Sequence, residues 1–246
     1  MASPVVELRQ YTLRPGARDT LIDLFDGRFV EPQEDAGMTV IGQFRDADRP
    51  DMFVWLRGFP DMESRRESLA AFYGGPVWAG HRDAANATMV DSDNVLLLRP
   101  AWDDGAFDLT GARRPSPTEV GPSKAPAETS ALLMATIWHL PPNAEEEFGA
   151  RFRAEVMPLL ASLGASVAAA LVSEHAQNTF PRLPVRTDEN VFVTFTRFAD
   201  IATEEQNRRT LADSAQWRAF LADMEDKLAR PIERLRLTPT ARSRLR

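Results

Sequence analysis

The chain repeats itself, and that constrains its fold more than any other feature. Leu13-Arg-Pro15 ahead of one amphipathic stretch matches Leu140-Pro141 ahead of another, and Pro32 matches Pro158, at an offset of about 126. Further along, Phe53-Val54 matches Phe192-Val193, Phe59-Pro-Asp61 matches Phe198-Ala-Asp200, Trp78 matches Trp217 and Pro100 matches Pro239, at about 139. The difference is an insertion of roughly a dozen residues in the second copy, placed around His175 to Glu189. Each copy reads as strand, helix, strand, strand, helix, strand. Val5 to Leu13 is strand-like and stops at Arg14-Pro-Gly16, after which Leu21, Phe25 and Phe29 recur at helical spacing. Thr39 to Phe44 and Met52 to Phe59 suit a hairpin. Asp61 to Ala87 is helical but broken at Gly74-Gly75, with Pro76 opening a new helix, and Val95 to Arg99 closes the unit. The second copy repeats the order with two apolar stripes, Phe148, Phe152, Val156, Leu160, Leu163 and then Trp217, Phe220, Leu221, Met224, Leu228.

Two βαββαβ units predict an α+β fold of two tandem ferredoxin-like halves. A four-stranded sheet with helices on one face leaves the other face bare. Two antiparallel sheets packed face to face bury both and close a barrel with the helices outside, a dimeric α/β barrel built within one chain. The expected divisions are a half over 1–100, a linker over 101–129 carrying Pro115, Pro117, Pro122 and Pro126, a second half over 130–239 and a tail over 240–246. Trp102 and Phe107 are expected to pack back on the first half.

Composition narrows the function. At 43% hydrophobic and 26% charged the 246 residues are globular, with no apolar run long enough for a membrane helix and no signal-peptide pattern at Met1-Ala-Ser-Pro-Val-Val-Glu, which predicts a cytosolic protein. The absence of cysteine removes disulfides, thiol nucleophiles and thiolate metal sites, and three histidines, at 81, 139 and 175, leave little for a metal. A net charge of -7 argues against nucleic acid as a partner. The basic charge is almost all arginine, which reads as the codon bias of a GC-rich bacterial genome. Gly-rich phosphate loops, a G-x-S-x-G elbow and H-E-x-x-H are all missing, so ATP and dinucleotide chemistry are poor expectations.

Three stretches carry a family resemblance: Val6-Glu-Leu-Arg-Gln-Tyr11-Thr-Leu-Arg-Pro-Gly16, Phe53-Val-Trp-Leu-Arg-Gly-Phe59 and Gly74-Gly-Pro-Val-Trp78-Ala-Gly-His81-Arg82-Asp-Ala-Ala-Asn86. They resemble the NIPSNAP family of the dimeric α/β barrel group over residues 5 to 100. Over 130 to 239 the likeness is to the architecture and the hydrophobic pattern. The resemblance implies the barrel and a small-molecule pocket between sheet and helices. It does not imply one reaction, because the wider group holds cofactor-free monooxygenases, cyclases, isomerases, haem enzymes and simple ligand binders.

The repeat also offers an internal control, since equivalent core positions should be similarly apolar and polar residues confined to one copy need a local reason. On the first strand Glu7, Arg9 and Tyr11 alternate onto one face, and the 126 offset makes their counterparts Leu133, Ala135 and Ile137. His81, Arg82 and Ala85 share a helical face with Trp78 and become Phe220, Leu221 and Met224, while Trp55 and Arg57 become Thr194 and Thr196. The first half is therefore expected to keep a polar pocket and the second to be filled as its structural mate. His81 is assigned as acid or base, Arg82 as oxyanion partner and Tyr11 as a third catalytic group. Trp55, Tyr73, Trp78, Asn86, Arg9 and Glu7 are assigned to substrate binding.

Plainer readings stand beside these. Glu7, Arg9 and Arg57 also suit cross-strand ion pairs at a wet sheet face, and Trp78 suits a core position. Asp91-Ser-Asp-Asn94 reads as a turn rather than a calcium loop. His139 is expected at the surface, and the loop opened by His175, with Phe180, Arg182, Pro184 and Arg186, reads either as a lid over a pocket mouth or as disorder. The predicted partner is a small-molecule ligand, with an intramolecular pseudo-dimer that can pair again as a homodimer. The predicted activity is a cofactor-independent enzyme on a small aromatic or polyketide-like metabolite, working by proton transfer or cofactor-free oxygenation. A non-catalytic binder or scaffold is the alternative, and a haem-binding barrel the third.

Overall fold

The computed structural model describes residues 3–120 and 131–246. The first half runs β1 (Val5–Leu13), α1 (Arg18–Leu24), a π-helical turn (Phe25–Phe29), α2 (Val30–Asp35), β2 (Thr39–Asp46), β3 (Met52–Phe59), α3 (Met62–Gly74), α4 (Pro76–Thr88) and β4 (Met89–Pro100). After a short α5 (Pro117–Val120), the second half repeats it as β5 (Leu132–His139), α6 (Glu145–Arg151), a π-helical turn (Phe152–Val156), α7 (Met157–Ser162), β6 (Ser166–Ser173), β7 (Val191–Phe198), α8 (Ile201–Asp213), α9 (Ala215–Glu225) and β8 (Arg230–Pro239). The repeat reaches into detail. Asp61 and Asp200 cap α3 and α8 alike by accepting from the Ser64 and Thr203 amides, and Pro76 opens α4.

The strands close an eight-stranded antiparallel barrel in the order β1-β3-β2-β8-β5-β7-β6-β4, so the halves join at two seams, β2 with β8 and β4 with β6. β1, β3, β5 and β7 are therefore buried on both faces along most of their length, whereas β4 and β8 begin exposed. Leu8, Leu56, Leu96, Leu235 and Leu237 are among the residues that fill the barrel, while the alternate positions face the helices, where Phe25, Phe29 and Trp55 pack in the first half and Trp138, Phe152 and Phe192 in the second. Truncating any of the barrel leucines to alanine would cost about 2–5 kcal/mol. Among the described residues no helix is long and apolar enough to cross a membrane.

Several expectations are corrected. Glu7 pairs with Arg57 and Met134 with Thr196, so over the first strand the true offset is one residue longer than 126. The counterparts of Glu7, Arg9 and Tyr11 are Met134, Thr136 and Trp138, whereas Leu133, Ala135 and Ile137 point into the barrel. A one-residue slip exchanges the two faces of a strand. Asp91 to Asn94 is not a connecting turn but part of β4, which begins well before Val95. A shift in the β1–β4 register there lets the Asp91 carboxylate accept from the Asp93 amide.

The segment read as a linker is packed as far as it is described, and residues 121–130, with Pro122 and Pro126, lie outside the described residues. Phe107 and Leu109 enter the barrel core shared by both halves, Phe107 against Phe195, and Trp102 lies against Phe192, so of the two aromatics Trp102 serves the second half rather than the first. Residues 240–246 are no loose tail. Ser243 and Leu245 are buried, the Leu245 amide donates to the Ile41 carbonyl and Arg242 pairs with Glu31. His139 is buried, with carboxylates of Glu189 and Glu233 at 3.6 and 3.9 Å, rather than exposed.

Candidate functional site

On the helix-facing side of the first sheet, one carboxylate meets three guanidinium groups. Glu7 Oε2 lies 2.7 Å from both Arg9 Nη1 and Arg57 Nη2, and Glu7 Oε1 accepts from Arg65 Nε at 2.7 Å. Strand alternation puts Glu7 and Arg9 on this face, β3 brings Arg57 opposite Glu7, and α3 lowers Arg65 from above. All four residues are at most 1% exposed, so these ion pairs are not on a wet face. Burial would raise the Glu7 carboxyl, but Arg57, Arg9 and Arg65 more than reverse that and hold it far below the usual carboxylate range. Among the described residues two positive charges remain without a carboxylate. Aromatic faces and neutral acceptors take up part of that excess: Arg57 stacks over Trp55 at 5.0 Å, Arg9 over Tyr11 at 5.4 Å, and Arg65 Nη1 donates to Asn178 Oδ1 at 2.9 Å.

The cluster opens into a cavity of about 160 Å³, whose wall includes Arg9, Tyr11, Tyr73, Trp78, Ser92 and Phe180. Asn86 and Arg182 also reach it, and a narrow extension runs toward Trp55 and Phe25. Arg9 Nε donates to the Tyr11 hydroxyl at 3.0 Å, which occupies a lone pair of that oxygen and leaves its proton to donate elsewhere. Burial pushes the Tyr11 hydroxyl up against the opposing pull of Arg9, so the group is a neutral donor.

The insertion belongs to the second half by sequence, yet it covers the cavity of the first. Phe180 stacks on Tyr73 with ring centroids 6.1 Å apart, Thr179 donates to the Met62 carbonyl and Asn178 receives Arg65. Of the residues assigned from sequence, Glu7, Arg9, Tyr11, Trp55, Tyr73, Trp78 and Asn86 come together in the cluster, the cavity or its extension. His81 and Arg82 do not. His81 sits half-buried on α4 with its ring 6.3 Å from that of Phe29, and neither residue lines the cavity. Arg82 reaches into water, 3.5 Å from Asp83. Arg65 escaped the sequence reading, although its counterpart at the 139 offset is Glu204, a reversal of charge between the two copies.

The second half is not filled. Between its sheet and helices lies a larger cavity of about 350 Å³, with Met134, Thr136, Thr194, Thr196 and Trp217 in its wall. Among the described residues neither cavity has a histidine in its lining. His139 is enclosed by Glu189 and Glu233, and His175 bonds Glu145 at 2.9 Å, so these residues do not fit a histidine-ligated haem.

Comparison with known proteins follows these boundaries. The NIPSNAP family model matches residues 6–102. A comparison with curated protein sequences finds no match. Among solved structures, a candidate monooxygenase from Fusobacterium nucleatum subsp. nucleatum superimposes with a TM-score of 0.59 at 11% identity, covering 97% of this chain and 93% of that one. An anthrone oxidase-like protein gives 0.53 at 12% identity, covering 98% and 94%. An uncharacterised NIPSNAP-like domain protein from Burkholderia xenovorans is 26% identical over 39% of this chain and 84% of its own, with a TM-score of 0.36. The full-length matches share the fold.

Proposed function

Taking residues 6–102 as a NIPSNAP domain, we propose that the chain is an enzyme acting on a small, acidic aromatic or polyketide-like metabolite held in the first-half cavity. The observation that carries this reading is the buried cluster with two excess positive charges, which reaches an aromatic-walled cavity through Arg9 and Tyr11. An enol or phenol bound there loses its proton more readily, because the resulting oxyanion supplies the negative charge the cluster lacks. Arg9 attracts that oxygen and the Tyr11 hydroxyl donates to it, a pre-arranged pair of the kind that stabilises developing charge. The electron-rich anion so formed is the species that proton transfer or cofactor-free oxygenation requires. The oxidase and monooxygenase descriptions of two full-length structural neighbours are in keeping with this chemistry, although at 11–12% identity their likeness shows the fold alone. Arg9 takes the oxyanion-partner role expected of Arg82, and Tyr11 supports it as a hydrogen-bond donor.

The test uses p-nitrophenol as a chromogenic probe and anthrone as a trial substrate. Below its solution pKa, p-nitrophenol should bind as the yellow phenolate, and Arg9→Met should abolish the colour. Oxygen uptake with anthrone should fall on the order of 100-fold in Tyr11→Phe. Binding of the neutral phenol, or turnover indifferent to both substitutions, overturns the proposal. One observation favours a second reading, a binder without turnover: among the described residues no histidine or carboxylate lines this cavity to act as a base. Phenolate binding without oxygen uptake selects it.

A further inference from the structure

The second-half cavity occupies the place equivalent to the first-half site, and the strand register shows how its space arises. Glu7, Arg9, Trp55 and Arg57 of the first floor become Met134, Thr136, Thr194 and Thr196 of the second. Three charged side chains and an indole give way to a thioether and three threonines. On the helical wall Tyr73 becomes Ala212, which is exposed at the rim, while Trp78 persists as Trp217. A chain retained only as a packing partner would be expected to refill such space, because unfilled volume forfeits contacts on every side. About 350 Å³ is within the range of small-molecule sites.

The lining also has a definite chemistry. Trp138 and Trp217 meet edge to face, with ring centroids 6.1 Å apart, and offer an aromatic wall. Opposite it, Thr136 and Thr194 are directly paired across β5 and β7, with Thr196 one step along the same face. Among the described hydrogen bonds none engages these three hydroxyls, although Thr194 and Thr196 are buried. Glu204, 3% exposed, lines the cavity with an Oε2 that accepts no hydrogen bond. Its charge is met by Arg236 at 3.4 Å and Arg208 at 3.6 Å, and the arginines of the lining, Arg208 and Arg234, are solvent-exposed, so the floor lacks the buried surplus of positive charge of the first site.

We propose that this cavity is a second small-molecule site, taking a neutral, planar ligand of two or three rings whose hydroxyl or carbonyl groups meet the threonines and Glu204. It is chemically distinct from the anion-attracting site of the first half. The test is a fluorescence titration of the full chain with the neutral probe N-phenyl-1-naphthylamine. One saturable site is expected, and excess p-nitrophenol should leave it occupied. Thr194→Trp and Ala212→Tyr, each restoring the first-half residue, should each weaken binding at least 10-fold. Ala212→Tyr lies at an exposed rim position and keeps the test open if Thr194→Trp does not fold. 1-Naphthol should displace the probe more strongly than naphthalene. Absence of saturable binding, displacement by p-nitrophenol, or full affinity in folded Ala212→Tyr overturns the site. Equal displacement by 1-naphthol and naphthalene overturns the role given to the polar groups.

Discussion

At one register of the two sheets stand Glu7, Arg9 and Arg57; at the equivalent register stand Met134, Thr136 and Thr196. The first set locks into an ion network with a small cavity beside it, and the second leaves hydroxyls around a larger one. The surrounding scaffold is nearly the same in both, down to a π-helical turn in each first helical segment and matching aspartate caps. The contrast teaches that the barrel interior carries the fold. Leucine, valine and phenylalanine from both sheets hold the strands, and the helix-facing floor is free to diverge toward charge or toward space.

The largest test of that contrast removes the single anion of the first floor. Glu7→Gln leaves three buried guanidinium groups without a carboxylate and should cost about 3–5 kcal/mol in urea denaturation. The second concerns Asp26, buried in the first π-helical turn, where the corresponding residue of the second is the half-exposed Arg153. Burial raises the Asp26 carboxyl from 3.8 to about 6, against the nearby Thr240 hydroxyl, the Gln43 amide that donates to it and the charge of Arg242. The folded state therefore holds a proton that the unfolded chain releases earlier. Stability should fall by about 2–3 kcal/mol as pH rises from roughly 4 to 6, and Asp26→Asn should remove that slope. Third, Phe180→Ala strips the stack over Tyr73 and should weaken p-nitrophenol binding about 5- to 10-fold in a spectrophotometric titration, for a loss of about 1 kcal/mol. The smallest effect belongs to Arg82→Ala, which should leave both denaturation and probe binding within about 0.5 kcal/mol, because Arg82 ends in water.

The frame of the molecule could be read from sequence because its cues are local. The bounds of β1 and β3 match the β-branched and aromatic runs, and the break between α3 and α4 falls where Gly75-Pro76 requires it. The register of β5 could not be read the same way. A strand buried on both faces is apolar throughout, so Leu133, Ala135 and Ile137 look as good as Met134, Thr136 and Trp138 for the helix-facing side. Asp91 to Asn94 has the composition of a turn, and tertiary pairing with β1 overrides it. Glu7, Arg9 and Arg57 of the candidate site stand out in the sequence as charged residues confined to one copy. The exposure of Arg82 depends on how α4 rolls against the sheet, which residue spacing does not specify. Arg65 acts through a contact with Glu7 that only the folded chain creates.

The loop bearing Asn178, Thr179 and Phe180 gives the first-half cavity a timetable. As the chain leaves the ribosome, β1 to β4 emerge early with Arg9, Tyr11 and Trp78 already among them, yet the roof over those residues is translated only after β5 and β6. A nascent first half thus has the floor and walls of the cavity but not its roof. A closed early cavity then reports that the late half has been made and has docked.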